Sequence, residues 1–558
     1  SNVVVEENAI HSNNDADDTK YDGSAGIWLT SDTSNVTIYG NSIAGNADYG
    51  VRNDAAIVVD ASGNWWGDAS GPGGSGDNVS ANVDYTPWLD SGTDISTDPG
   101  FQGDFSTLRV DDDSPQSGPM GRIQEGLDMV SGSTVYVAAG TYTENIDIHK
   151  RVEIIGAGSD SDPASNTIIT QDPSGAGDTK IGVVQLTASG ISGAPILLQD
   201  IRLEPVSMAG ISVGRFTEGT GQTVDYVKLD NVQVIGTNVS PSTEQERGLY
   251  VDATSTLRHL DVDDCAFDNL TYGWYLHKQV SADASTVQYV TVDNTTFNHN
   301  NHKGIYAEKL SDATFTECAA DGNGFDSSAL PSYFAPWSAG FDINLKAGTY
   351  ANIAFMSCTV TNNAIDEAKE GVGLTVKARD DGSSYSGYPA TVDNIDVIGC
   401  VITGNERGLR FGEPGKDNAT PTNVTVEDCV LTDNTQHYSG SDGSAYGGLI
   451  NVTAPGNVVD ASPNWWGDAA GPMGPNGDGV FGEVIYCPWL DGVDGDPISP
   501  SGGFATTSTD GHTTQYCTIE AAIFASVGAD QEVHVGEGDW PPEAMTRDYS
   551  DSPNLLVK

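Results

Sequence analysis

Apolar and polar positions alternate in short bursts along this chain, and the bursts repeat. The clearest is Asn35-Val36-Thr37-Ile38-Tyr39-Gly40-Asn41-Ser42-Ile43-Ala44-Gly45-Asn46, which returns at Asn352–Asn363, Asn394–Asn405 and Asn423–Asn434. Looser copies lie at Asn2–Asn13, Tyr226–Asn238, Leu260–Asn269, Tyr289–Asn300 and Ala313–Asn323. Period-two alternation is strand chemistry, one face in and one out. It predicts Val36, Ile38 and Ile43, with their equivalents, on the inner face. After each copy comes Gly-apolar-x-apolar, as in Gly248-Leu249-Tyr250-Val251, Gly273-Trp274-Tyr275-Leu276, Gly304-Ile305-Tyr306-Ala307 and Gly408-Leu409-Arg410-Phe411. Each unit is then two or three short strands joined by corners. One unit cannot bury its own apolar face, so units must stack.

A longer repeat encloses the short one. Asn64-Trp65-Trp66-Gly67-Asp68-Ala69 returns as Asn464-Trp465-Trp466-Gly467-Asp468-Ala469, 400 positions on, and Pro87-Trp88-Leu89-Asp90 returns as Pro488-Trp489-Leu490-Asp491. A repeat of that length is a whole domain. Residues 1–93 read as the last coils of one solenoid and 94–117 as a polar connector. Residues 118–492 read as a complete solenoid, 493–512 as a second connector and 513–558 as the start of a third solenoid. Trp65, Trp66, Trp88, Trp465, Trp466 and Trp489 are expected to cap the last open coils. A helix is predicted from Ile123 to Val130. Both ends of the chain fall inside strand units, so it is expected to continue as a covalent array or to self-associate end to end.

These features resemble the right-handed parallel β-helix superfamily, the pectin-lyase-like fold. The opening helix followed by Val135-Tyr136-Val137-Ala138-Ala139-Gly140-Thr141-Tyr142-Thr143-Glu144 resembles its N-terminal cap and first coils. The Trp-rich blocks resemble the terminal coils of β-helix domains in large secreted surface proteins. The resemblance implies an all-β, right-handed parallel β-helix solenoid in tandem copies, each with a short capping helix and a Trp-rich terminal coil. It implies little about activity, because that superfamily hosts lyases, esterases, epimerases, hydrolases, adhesins and inert fibres.

Charge narrows the partners. Asp and Glu number 79 against 24 Lys and Arg, a net −55. That sign argues against nucleic acid, which needs basic patches, and against anionic membrane surfaces. It fits a halophilic protein kept soluble by its surface charge, or one that gathers cations. No apolar run approaches the roughly 20 residues of a membrane span. Five of the seven cysteines, Cys265, Cys318, Cys358, Cys400 and Cys429, hold one position of the short repeat and read as small buried corner residues. Cys487 stands where the first copy has Thr86 and reads the same way. Asn-x-Ser/Thr sequons at Asn35, Asn78, Asn238, Asn269, Asn294, Asn418, Asn423 and Asn451 would suit an exported glycoprotein.

Candidate chemistry is sparse. Gly140-Thr141-Tyr142-Thr143-Glu144 resembles the first signature of pectin methylesterases, without that family's later signatures, and is read as structural. The Asp-Pro-His signature expected of alginate epimerases and lyases of this fold is absent. Aligning the Gly-apolar-x-apolar strands stacks Tyr250, Tyr275, Tyr306, Asp342, Thr375 and Arg410 at one outward position. The next outward position stacks Asp252, His277, Glu308, Asn344 and Lys377. Aromatic rings beside carboxylates, a histidine and an arginine suit a sugar-binding groove. The same residues also describe an ordinary solvated face. Catalytic candidates are Asp342, Arg410, Glu308 and His277; ligand-binding candidates are Tyr250, Tyr275, Tyr306, Asp342 and Arg410. No cofactor is required. Structural calcium would suit the acidic loops at Asp15, Asp17 and Asp22 and at Asp491, Asp494 and Asp496.

The leading expectation is a non-enzymatic extracellular β-helix repeat protein, a cell-surface stalk, sheath, filament or adhesin component. The alternative is a polysaccharide-binding or polysaccharide-degrading protein, lyase- or epimerase-like, that uses the outward face of residues 240–415 and a surface polysaccharide as partner.

Overall fold

A computed structural model describes the chain from Val3 to Ile498 except residues 14–23, 174–181, 215–220, 238–245, 326–336, 366–370, 417, 435–446 and 473. Beyond residue 498 it describes the strands Ala505–Thr509, His512–Tyr516, Glu532–Val535 and Leu556–Val557. The chain forms two compact units. The first holds residues 1–208 with 224–234, and the second holds 209–223 with 235–558.

The second unit is a parallel β-helix with three stacked walls. One wall is built from Ala209–Val213, Arg247–Val251, Tyr272–Leu276, Lys303–Ala307, Ala339–Leu345, Val372–Ala378, Leu409–Phe411, Leu449–Asn451 and Val480–Phe481, each paired in parallel with the next. A second runs from Thr256–Asp263 through Val287–Asp293, Ser311–Thr316, Gly348–Met356, Ala390–Ile398 and Thr422–Glu427 to Val459–Asp460. The third is short: Ala319–Asp321, Thr359–Thr361, Val401–Thr403 and Val430–Thr432.

The corners of the repeat are left-handed residues. Asn352, Asn394 and Asn423 open their repeats at φ 60, 62 and 51°, and Ser357, Gly399 and Asp428 turn the next corner at 54, 64 and 54°. Gly, Asn and Asp tolerate that region best, which explains the polar interruptions between apolar pairs. The glycine of Gly-apolar-x-apolar has a different cause. A Cβ on Gly248, Gly273 or Gly304 would lie 2.2, 2.4 or 2.6 Å from the carbonyl oxygen of the glycine in the next coil. Coils can therefore close up only where this column lacks side chains.

Inside, the apolar columns are sealed: Ile38, Ile43, Leu249, Trp274, Ile305, Phe341, Leu374 and Leu409 are each at most 1% exposed, and Val36 is 8% exposed. Two polar ladders run beside them. Asn300 Nδ2 donates to Asn323 Oδ1 at 2.9 Å, Asn323 to Asn363 at 2.8 Å, Asn363 to Asn405 at 2.8 Å and Asn405 to Asn434 at 3.0 Å. The cysteines form the second ladder. The Cys358 amide donates to Cys400 Sγ at 3.4 Å, the Cys400 amide to Cys429 Sγ at 3.3 Å, and the Cys429 amide to Asn464 Oδ1 at 2.8 Å. These cysteines are free and buried. Cys487 is not one of them: it is disulfide-bonded, which corrects its reading as a packing residue.

The first unit repeats this plan. Val3–Glu6, Val36–Tyr39, Val59–Asp60 and Val83–Asp84 stack in parallel. So do Thr107–Val110, Thr134–Val137, Glu153–Ile155, Ile196–Glu204 and Thr223–Ile235. The predicted helix is Arg122–Met129, with Ile123 and Leu127 buried. The Glu144 carboxylate accepts from the Ile123 and Gln124 amides, both at 3.0 Å, and so caps the helix N-terminus. Tyr142 is buried with its hydroxyl on the Ala138 carbonyl at 3.1 Å. The Gly-x-Tyr-x-Glu piece is accordingly structural.

The Trp blocks fold alike in both copies. Trp66 and Trp466 are fully buried, while Trp88 and Trp489 donate to the carbonyls of Ala69 and Ala469 at 3.0 and 3.1 Å. Trp65 and Trp465 are half-buried. The first block is more than a lid. Trp88–Leu89 pairs antiparallel with Thr107–Val110, setting Leu89 against Leu108 and Trp88 against Arg109. Tyr39 stacks on Phe105 with centroids 5.3 Å apart. The Trp block is thus paired directly with the strand that follows it. Beyond residue 498, Ala505–Thr509 pairs antiparallel with His512–Tyr516 and with Glu532–Val535, unlike the parallel pairing of Thr107–Val110 with Thr134–Val137.

Candidate functional site

The outward column predicted from the glycine-led strands is a true register column. Tyr250, Tyr275, Tyr306, Asp342, Thr375 and Arg410 are successive parallel partners. The expectation of a solvated face fails. Tyr250, Asp342, Thr375, Arg410 and Glu308 are at most 2% exposed and Tyr306 is 8% exposed. Outward here means away from the coil interior and yet withdrawn from water, while Tyr275 and His277 are half-exposed and open the site at one edge.

Charge pairing organises the column. Lys303 Nζ lies 2.6 Å from Asp342 Oδ2, and Lys377 Nζ lies 3.3 Å from Asp342 Oδ1. Lys346 is paired with Glu308, and His277 Nε2 is 3.8 Å from the other Glu308 oxygen. Arg379 Nε meets Glu413 Oε2 at 2.7 Å. Burial raises the Asp342 carboxyl, but the Lys303 and Lys377 ammoniums overcome that and hold it well below the carboxylate range. Glu308 behaves likewise, with Lys346 and His277 outweighing burial. Both carboxylates are therefore ionised, and neither is a proton donor at neutral pH. Burial lowers Lys377 to about 8 against the pull of Asp342. Burial also lowers His277, with Glu308 opposing, so the imidazole is neutral near pH 7.

Aromatic rings line the other end. Tyr275 stacks on Tyr306 at a centroid distance of 5.1 Å and on Tyr272 at 5.3 Å, and meets Tyr250 edge to face at 5.7 Å. Arg247 lies 5.1 Å over Tyr250, and the Lys303 ammonium lies 3.9 Å over Tyr306. The Tyr250 hydroxyl reaches Asp252 Oδ2 and His277 Nδ1, both at 3.4 Å. Glu308, His277 and Tyr250 adjoin one another: a carboxylate stands 3.8 Å from a neutral imidazole whose other nitrogen is 3.4 Å from a protonated phenol. That arrangement can accept one proton and deliver another. Asn344 Oδ1, Thr375 Oγ1 and Ser212 Oγ are buried on this wall without a hydrogen-bond partner. Orphaned polar atoms are rare in packed protein and mark places where a ligand can bind.

The sequence reading grouped Asp342, Arg410, Glu308 and His277 correctly on one wall but missed Arg247, Tyr272, Lys303, Lys346, Arg379 and Glu413. Arg247, Tyr272 and Lys303 share the position just before the glycine, a column that could have been read. Lys346 and Arg379 lie past the ends of their strands, where unequal loops hide the register. Of the calcium candidates, Asp15, Asp17 and Asp22 lie outside the described residues. Asp491, Asp494 and Asp496 are exposed, with Asp491 Oδ1 accepting the Asp496 amide at 2.9 Å. Among the described residues no three His, Cys, Asp or Glu side chains converge to hold a metal ion. No helix among them is long and apolar enough to cross a membrane. Of the sequons, Asn418 and Asn451 are buried, while Asn294 and Asn423 are exposed.

The fold is a parallel β-helix, and part of the chain is similar to a pectate lyase-like family. Residues 123–326 match the family model described as rhamnogalacturonase A/epimerase, pectate lyase-like. No curated protein matches the sequence. Similar solved structures include the Azotobacter vinelandii mannuronan C-5 epimerase AlgE4 A-module, at 14% identity and TM-score 0.31 over 57% of this chain and 95% of that one. A mannuronic acid specific polysaccharide family 6 lyase from human gut microbiota is similar at 10% identity and TM-score 0.24, over 57% of this chain and 81% of its own. Geobacillus virus E2 ORF18 is similar at 15% identity and TM-score 0.29, over 60% of this chain and 56% of its own.

Proposed function

We propose that the wall from Arg247 to Glu413 binds an acidic polysaccharide. The observation that carries this reading is where the cations are. In a chain of net −55, Arg247, Lys303, Lys346, Lys377, Arg379 and Arg410 outnumber Asp252, Glu308, Asp342 and Glu413 on a single wall. Sugar carboxylates would meet Lys346 and Arg379, the part-exposed cations, with the buried ones adding to the field behind them, and a sugar ring would meet Tyr275 at the open edge. Glu308, His277 and Tyr250 supply groups for taking the proton beside a uronate carboxylate and returning one to the ring or to the leaving oxygen.

The protein is incubated with alginate and with polygalacturonate in heavy water, with binding followed by calorimetry and ring-proton exchange by NMR. Binding that weakens about tenfold in Lys346→Ala is expected. Exchange of the proton next to the carboxylate would add catalysis to binding. A wild-type protein that binds neither polymer removes the proposal.

A second reading has its own support. Backbone pairing ties Trp88–Leu89 to the strand that follows it, and the same Trp block recurs at 489–490. That suits an extracellular tandem stalk, sheath or filament that presents such walls, and the Cys487 disulfide suits an oxidising location.

A further inference from the structure

Two lysines lie dry beneath the open edge of the wall. His277 opens the candidate site there with Glu308 beside it, and each is followed directly by a lysine, Lys278 and Lys309. Both lysines are at most 2% exposed. Burying an ammonium is costly unless its protons are met, and here the backbone meets them. Lys309 Nζ donates to the carbonyls of Ser255 and Asp252 at 2.5 and 2.7 Å and reaches that of Ala253 at 3.4 Å. Lys278 Nζ donates to the carbonyls of Asp283 and Ser285 at 2.6 and 2.9 Å. The Ser285 hydroxyl joins the two. It lies 3.4 Å from Lys309 Nζ and 3.3 Å from Lys278 Nζ, and it donates to the Ala253 carbonyl at 3.0 Å. Two loops, residues 252–255 and 283–285, are thus gathered around two buried cations.

The fold does not require cations at this position. Parallel pairing sets Ala307 against Ile343 and Leu345 against Ala378, so Lys309 falls opposite Leu345. The next two coils fill the place with Leu345 and Ala378, both fully buried. The lysines stand in the two coils that carry His277 and Glu308, and both bear on the site. The Lys278 amide donates at 2.9 Å to Glu308 Oε2, the oxygen that lies 3.8 Å from His277 Nε2. Asp252, whose carbonyl Lys309 holds, accepts the Tyr250 hydroxyl on Oδ2 at 3.4 Å, and the same hydroxyl is 3.4 Å from His277 Nδ1.

We propose that Lys309, assisted by Lys278, is a positioning residue of the wall: its ammonium clasps the two loops and so fixes Asp252 and the Tyr250–His277 edge where a uronate chain would lie. This rests on the acidic-polysaccharide reading of the wall. An ammonium offers three protons and no lone pair, which suits converging carbonyl oxygens. The amine has two protons and turns a lone pair toward oxygen, which loosens the clasp. Burial and the neighbouring Lys278 push Lys309 down to about 7, against the pull of Asp252, Asp283 and Glu308. The clasp is therefore closed below neutral pH and open above it. Its charge also reaches His277: burial lowers that imidazole, Lys346 and Lys309 add to the effect, and Glu308 and Asp252 oppose it.

The test compares the full chain with Lys309→Met, which keeps the stem and removes the charge, and with Ser285→Ala, which leaves both cations and removes the hydroxyl between them. Melting curves establish folding. Alginate binding is followed by calorimetry across neutral pH, and the His277 ring is titrated by NMR without polymer. Wild-type affinity should fall severalfold as pH rises through about 7. Below that step Lys309→Met should bind about tenfold more weakly than wild type, and it should show no step. Ser285→Ala should bind about threefold more weakly and keep the step. In Lys309→Met, His277 should titrate at higher pH than in wild type, since one cation that opposes its protonation is gone. Wild-type affinity in Lys309→Met overturns the proposal. So does a weakened Lys309→Met that retains the pH step, because its role is then structural. If Lys309→Met does not fold, Ser285→Ala decides, and wild-type affinity there overturns the proposal. A wild-type protein that binds no alginate overturns it too; a shifted His277 titration in Lys309→Met then places the failure in the acidic-polysaccharide reading, and an unshifted one places it in the clasp as well.

Discussion

Lys303 donates to the Asp342 carboxylate at 2.6 Å from one coil to a neighbouring coil of the same wall, and both side chains are at most 3% exposed. A buried ion pair stabilises little relative to apolar residues of the same volume, but breaking one is costly. Asp342→Ala strands Lys303 and Lys377 in a dry environment. Denaturant unfolding should show a loss of about 3–5 kcal/mol. Adding Lys303→Met and Lys377→Met should return part of that loss. If Asp342→Ala unfolds like wild type, the cluster is more hydrated than its geometry indicates.

Trp466 is fully buried beneath the terminal coil, as is Trp66 in the first copy. Trp466→Ala should cost about 3–5 kcal/mol, the usual range for a large buried aromatic. Trp465 is only half-buried, so Trp465→Ala should cost less. Thermal melting of the two single variants checks the order.

The asparagine ladder of the second unit ends on a carboxylate. Asn434 donates to Asp478 Oδ2 through its side chain at 2.7 Å and through its amide at 3.1 Å. Burial raises Asp478 to about 6, and the two bonds from Asn434 only partly oppose it. The folded state therefore holds this proton at pH values where the unfolded chain has released it. Stability from this group is fully present below the unfolded pKa of about 4 and is lost as pH rises through about 6. Asp478→Asn extends the ladder without a charge. It should flatten the melting profile across that window and raise stability at pH 7 by on the order of 2 kcal/mol. An unchanged profile would show that Asp478 is solvated.

The net charge of −55 opposes compactness by self-repulsion. Salt shortens its reach from ~10 Å at 0.1 M to ~3 Å at 1 M. Melting temperature should climb steadily from low to molar KCl. A flat response to KCl together with a jump in millimolar calcium would point to specific cation sites instead.

Much of the fold is legible in the residues. Asn352, Asn394 and Asn423 mark corners because their short side chains accept positive φ, and Gly248, Gly273 and Gly304 mark the column where coils close up. Cys358, Cys400 and Cys429 share a repeat position and stack in one ladder. The Trp blocks recur in the sequence and fold alike, but the sequence did not tell that Leu89 would pair with Leu108. Such features are local, or they repeat at one position of every coil, so alternation and spacing carry them.

Alignment of the glycine-led strands also determined that Tyr250, Tyr275, Tyr306, Asp342 and Arg410 share a column. Only the tertiary structure decided that this column, Tyr275 apart, is buried, that Lys303 and Lys377 hold Asp342, and that Lys346 holds Glu308 beside it. The period of a strand tells which side of the sheet a residue faces. Whether water reaches that side depends on what other segments lay over it, and coils joined by unequal loops do not write that into their spacing.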